Sequence, residues 1–285
     1  MKAALVEISP EGLVVTRFGI AAVFLALLTL ATGHRLSVRR AHWGGVLLLG
    51  FLGVFLHHLL QANALRYTSA GAAGWLVAII PVFTAILAAV ILRERLSVTA
   101  VLGLLIALGG TLLVVSRGHL SSLSSGPGVV GDVLMVASAV NWAVYSVLLR
   151  RLALPYHVGV VTLHTCWLGM LMMVPLAVGL GGWRQWVGLS GTTWAHLAFL
   201  GIGPSALGYL GWAKALEGLE ATRAAVFQYL QPLVTVAGAV IVLHEPVSWP
   251  VLVGGAIILA GISLVDRRAT TPKATGAAGP GIADV

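Results

Sequence analysis

GAAGWLVAIIPVFTAILAAVILRERLS, Gly71 to Ser97, is an apolar run with Pro81 near its middle and charges at its end. Displaced by 151 places, it falls on TRAAVFQYLQPLVTVAGAVIVLHEPVS, Thr222 to Ser248. Pro81 then meets Pro232, Thr84 meets Thr235, Glu94 meets Glu245 and Ser97 meets Ser248. Extended without a gap, Trp43–Val114 against Trp194–Val265 gives 22 identities in 72 positions, among them Gly50/Gly201, Gly103/Gly254 and Gly110/Gly261. Shared apolar composition explains some matches but not one ungapped register, so the chain is two copies of one unit.

The composition sets the environment of those copies. Hydrophobic residues make up 59% of the 285, only 9% are charged, and the mean hydropathy is +0.99. That is too apolar for a water-soluble chain of this length and reads as an integral membrane protein. A net charge of +8 raises nucleic acid as a partner. No basic face or basic-aromatic cluster supports it, and the cations lie between apolar spans, where they set topology. Cys166, the single cysteine, lies inside such a span, which excludes a disulfide framework and a thiolate metal cluster. The N-terminus lacks a basic region followed by a compact apolar core, so no cleaved leader is expected.

Apolar spans of membrane length fall near 12–32, 43–62, 70–92, 98–115, 131–149, 158–180, 194–213, 222–243 and 249–265. The second copy supplies five and the first only four. Met1–Leu30 corresponds weakly to Leu148–Pro175, and nothing precedes it to match GDVLMVASAVNWAVYSVLL. The register therefore predicts a helix slot ahead of the first span, with Met1–Leu5 reading as that helix's end. The domain reading is a first repeat at 1–116, a Ser/Gly linker at 117–130, a second repeat at 131–266 and a disordered cytoplasmic tail at 267–285.

Alternate loops differ in charge. One side collects Arg35, Arg39, Arg40, Arg93, Arg95, Arg150, Arg151, Lys214, Arg223, Arg267, Arg268 and Lys273; the other has Lys2, Arg66, Arg117 and Arg184. Twelve against four places the first side, and the C-terminus, in the cytoplasm of a plasma or inner membrane. Five spans per unit is an odd number, so the second copy enters the membrane upside down. An inverted-topology repeat can open a central site to either side in turn, which points to secondary transport.

The paired frames Ala64-Leu65/Ala215-Leu216, Pro81/Pro232, Glu94/Glu245, Gly103/Gly254 and Gly110/Gly261 resemble those of EamA-type exporters in the drug/metabolite transporter superfamily. The resemblance covers nearly the whole chain outside the tail. It implies ten helices in two inverted five-helix units around a central cavity, walled mainly by the first, third, fourth, sixth, eighth and ninth. Here nine helices are expected, since the first is missing.

Polar and aromatic residues inside membrane spans are costly unless they face protein or water, so they are the candidate site. Asn141, Trp142 and Tyr145 share one span, with Asn141 and Tyr145 four apart on one face. Tyr209 and Trp212 lie on another, Gln228 and Tyr229 precede Pro232, His57, His58 and Gln61 share a third, and Trp75 stands on a fourth. In the family's geometry all five spans face the cavity, giving an aromatic pocket with amide and imidazole groups for an amphipathic small molecule. The bland reading of Trp75, Tyr209 and Trp212 is an interfacial belt.

His57 and His58 suggest a proton site, although adjacent residues point about 100° apart and a packing hydrogen bond serves as well. Arg17 must pair or snorkel, with Glu7 or Glu11 as partner and a gating role expected; His164 holds the matching place in the second copy. Pro81 and Pro232 interrupt the backbone ladder and are candidate hinges. Glu94 and Glu245 read as turn-forming, with Ser97 and Ser248 capping the next helices. The glycine rows fit close helix contact within a unit or between subunits, leaving a homodimer open. No paired aspartates, His/Glu cluster or serine with a base occurs at sensible spacing, so no enzyme, metal or cofactor is expected. The expected partners are a small-molecule substrate and the lipid bilayer. A passive facilitator of the same fold and, further off, an intramembrane enzyme are the alternatives to an exporter.

Overall fold

A computed structural model describes residues 7–67, 76–116, 129–231, 233–234 and 249–266. Among them every regular element is helical and no strand occurs. Nine helices follow in order: α1 Pro10–Ala31, α2 Arg40–Tyr67, α3 Ile80–Leu92, α4 Val98–Ser116, α5 Val129–Leu152, α6 Val158–Gly179, α7 at 191–218, α8 at 221–231 and α9 Trp249–Asp266. Of these, α1, α2, α5 and α6 are each long and apolar enough to cross a membrane. The 22 residues of α1 span about 33 Å at 1.5 Å per residue, against a hydrocarbon core of about 30 Å.

Local chemistry fixes where the helices begin. Ser9 accepts the Gly12 N–H at 3.2 Å and Pro10 follows at the first helical position. Ser97 caps α4 through the Ala100 N–H at 3.1 Å, and Ser190 caps α7 through that of Thr193 at 3.2 Å. Pro81 takes the second place of α3, after a turn at residues 78–79, so it starts a helix where a kink was expected. Pro232 and Trp75 lie outside the described residues, as do Glu245, Ser248, the linker to residue 128 and the tail.

The repeat is visible in the backbone. Residues 40–67 of α2 and 191–218 of α7 correspond end to end at the offset of 151, and each carries one widened π-helical stretch, Phe51–Leu56 and Gly201–Leu207. The counterparts α4 and α9 pack along one another in opposite directions, Gly103 against Gly261 and Gly110 against Gly254. A Cβ on Gly103 would come within 2.7 Å of the Gly261 carbonyl, and one on Gly110 within 2.7 Å of the Gly254 carbonyl. The glycine rows thus meet each other across the two units of one chain, rather than within a unit or between subunits.

The halves differ at the widened turns. Helix α5 packs along α2 and covers Gly53 and His57, which are buried; their counterparts on α7, Pro204 and Gly208, are exposed. Among the described residues no helix stands against that face.

The glycine contact yields a controlled test. Gly110→Val forces Cβ into backbone and should cost about 1–3 kcal/mol, whereas Gly109→Val, one residue away and facing open space, should not. Unfolding temperatures of the purified variants in detergent measure the difference, and equal values would remove the close contact from the fold.

Candidate functional site

The widened turns of α2 and α7 position the polar groups of the membrane interior. Between these helices the Tyr209 hydroxyl donates to the Gly53 carbonyl at 2.6 Å and lies 3.3 Å from His58 Nε2. Asn141 Nδ2 donates to the neighbouring Leu52 carbonyl at 2.7 Å. Both acceptors belong to the π stretch of α2, where the wider turn leaves carbonyls within reach of side chains. Glycine is required at 53 because a Cβ there would stand 2.6 Å from the Tyr145 ring.

Around these bonds the rings touch. Trp142 lies 4.8 Å from His57, 5.1 Å from Tyr145, 5.4 Å from Tyr209 and 6.2 Å from Trp212, centroid to centroid. Phe18 of α1 closes the group, 5.0 Å from His58 and 5.5 Å edge-on to Tyr209. The Trp212 indole N–H donates to Ser146 Oγ at 3.1 Å, and Ser138 Oγ sits 3.0 Å from His57 Nδ1. Both imidazoles are buried, His57 turned to α5 and His58 to α1 and α7. Tyr209 is 5% exposed and Trp212 is half-buried in this group, an interior rather than a belt position.

Other candidates fall elsewhere. Tyr229 is buried with Ala107 and Ile258 of the α4–α9 pair, its hydroxyl without a partner among the described residues. Gln61 and Gln228 are half-buried and bond no other described residue through their amides. His164 bonds the Val160 carbonyl at 2.8 Å and packs edge-on to Trp43, apart from the ring group. Neither glutamate pairs with Arg17. Glu11 lies 3.4 Å from Arg66, and Glu7 accepts the Ser190 N–H and hydroxyl, both at 2.8 Å. Those two bonds, the backbone one foremost, hold the Glu7 carboxyl below its ordinary range. Arg17 Nε donates instead to Ser205 Oγ at 2.9 Å, in the π stretch of α7.

One contact the sequence concealed lies just past the end of α3. Glu94 caps α8 across the boundary between units, accepting the N–H groups of Ala221 at 2.7 Å and Thr222 at 3.1 Å and the Thr222 hydroxyl at 2.8 Å. Arg150 Nε lies 3.6 Å away, and Arg151 donates to the Ile91 carbonyl at 2.7 Å. A turn-forming glutamate is thus a tie between α3, α5 and α8. Local spacing held no signal of a contact 127 residues away. Beside the tie a cavity of about 420 Å³ is lined by Leu149, Arg150, Tyr156, Ala213, Leu216 and Glu217, one helical turn beyond Tyr145 and Trp212.

The EamA-like transporter family model matches residues 1–116 and 129–266. An uncharacterized transporter of Archaeoglobus fulgidus is 31% identical over 268 residues, 94% of this chain and 91% of that protein. The uncharacterized transporter YyaM of Bacillus subtilis is 27% identical over 93% of this chain and 87% of its own length. A protein of Streptantibioticus cattleyicolor named a probable terminal-alkyne amino-acid exporter is 30% identical, covering 90% of this chain and 84% of that protein. One crystal structure superposes with a TM-score of 0.79 over 93% of this chain and 91% of that one, at 24% identity, a likeness of fold.

Removal of the Tyr209 hydroxyl should be costly. Tyr209→Phe leaves the Gly53 carbonyl and His58 without their partner and should destabilise by about 1–3 kcal/mol. Tyr145→Phe, whose hydroxyl bonds no other described residue, should change stability far less. Thermal unfolding of both variants checks the pair.

Proposed function

The chain belongs to the EamA-like transporter family, and on that premise we propose that it is a secondary transporter exporting a small metabolite, amino acid or amphipathic drug-like compound by alternating access. It is a multi-pass membrane protein and a transporter, not an enzyme. The observation that carries the proposal is the ring group itself. It joins α1, α2, α5 and α7, takes side chains from both repeats, and rests on the symmetry-related widened turns. His57, Asn141, Trp142, Tyr145, Tyr209 and Trp212 form the substrate contact surface. The rings touch one another, so cargo entering here must part them, and the surface offered is aromatic with few polar groups. The relative named as an amino-acid exporter supports both the outward direction and a cargo of that kind.

Alternating access needs ties that release at one end while others hold. The Glu94–α8–Arg150 tie holds one end; the Glu11–Arg66 and Glu7–Ser190 contacts hold the other. The loop charges favour the cytoplasmic side of the cell membrane for the Glu94 end and the C-terminus. The inward opening then forms when Glu94 leaves α8, widening the cavity beside Ala213 toward Trp212.

Cysteine labelling tests this. In a chain with Cys166→Ala and Ala213→Cys, Glu94→Ala should raise the rate of labelling by an impermeant maleimide from the cytoplasmic face. An increase of about fivefold or more corresponds to a loss of about 1 kcal/mol from the closed state. Unchanged labelling would deny Glu94 the tie, and labelling from the opposite face would reverse the orientation.

A further inference from the structure

Arg17 is a buried ionised side chain with no carboxylate partner among the described residues. It is 6% exposed, its guanidinium lies 4.8 Å from the centroid of the Phe18 ring, and its neutral partner Ser205 stands at the middle of α7. A cation inside a membrane span is costly, and buried cations normally sit against a carboxylate. None of the described carboxylates pairs with it, and its terminal amino groups have no acceptor among the described residues. The side chain as a whole is buried, with Nε held at Ser205 of α7, whose carbonyl accepts from Cys166 of α6.

The surroundings suit an incoming anion. Phe18 joins Arg17 directly to the ring group, packing on Tyr209 and His58, so a ligand lying on those rings can reach the guanidinium with one end. The Ser205 hydroxyl is a single, neutral acceptor, and a carboxylate replacing it gains two parallel charge-assisted hydrogen bonds. On the far side of the rings Asn141 Oδ1 is buried without a partner among the described residues, an open acceptor for a cationic or N–H group of the same ligand.

We propose that Arg17 is the specificity-determining residue of the transport site and that it takes the carboxylate of the cargo, which carries an apolar or aromatic body. The inference rests on the transport reading and deepens it, assigning the anionic end to α1 and the body to the rings. Arg17 is then a binding residue rather than a gate.

A matched series tests it in the full chain in nanodiscs: L-phenylalanine, phenylacetate and phenethylamine, which share a ring and differ in charge. The two carboxylates should raise the unfolding temperature and phenethylamine should not. Arg17→Gln should weaken carboxylate binding by about tenfold or more, the scale of hydrogen bonds to a charged group, with Arg17→Lys retaining part of it. Equal binding of all three, binding of phenethylamine alone, binding of none, or full carboxylate affinity in Arg17→Gln would each overturn the proposal. The wild-type series decides even where a variant fails to fold. An Arg17→Gln protein that exports carboxylates as well as the wild type does would refute the carboxylate role while leaving the transport reading intact.

Discussion

In hydrocarbon no water is present to complete a hydrogen bond, so each polar group must find its partner within the protein. The widened turns at Phe51–Leu56 and Gly201–Leu207 answer that constraint and shape the candidate site at the same time. They offer Leu52 and Gly53 carbonyls to Asn141 and Tyr209, and Ser205 to Arg17, from equivalent places in two inverted halves. The aromatic group assembles on these bonds. Removing them would strand carbonyls in a medium where each orphan costs several kcal/mol.

Much of the architecture was legible because a repeat constrains two segments at once. Pro81/Pro232, Glu94/Glu245 and the glycine rows fixed the register, and the odd number of spans per unit fixed the inversion. The Asn141–Tyr145 face was readable from helical periodicity, and the depth of His57 and His58 from apolar flanks. What could not be read was which partner each polar residue would find. Arg17 stood nearest in sequence to Glu7 and Glu11, yet its bond is to Ser205, 188 residues away. Tyr229 looked like a neighbour of the pocket, but its side of the helix turns to the α4–α9 pair. Neither widened turn had a signal in composition, since π geometry arises from how a helix is held by its neighbours.

The symmetry is also informative where it fails. Gly53 and His57 lie under α5, whereas Pro204 and Gly208 are uncovered among the described residues. The ring group is correspondingly lopsided, with two of its members, Trp142 and Tyr145, on α5 beside Asn141. Glu94 ties the halves together by capping a helix of the opposite unit, a use of a helix N-terminus that joins electrostatics to backbone satisfaction in a single residue.

In the proposed transport cycle the two halves exchange conformations around this group and drive cargo across the membrane. Reconstitution in proteoliposomes, with an imposed proton or sodium gradient and a radiolabelled amino-acid cargo, tests it most directly. Coupled transport gives accumulation above the outside concentration that collapses when the gradient is dissipated. Equilibration to equal concentrations with the gradient intact would contradict it and make the protein a passive facilitator of the same fold.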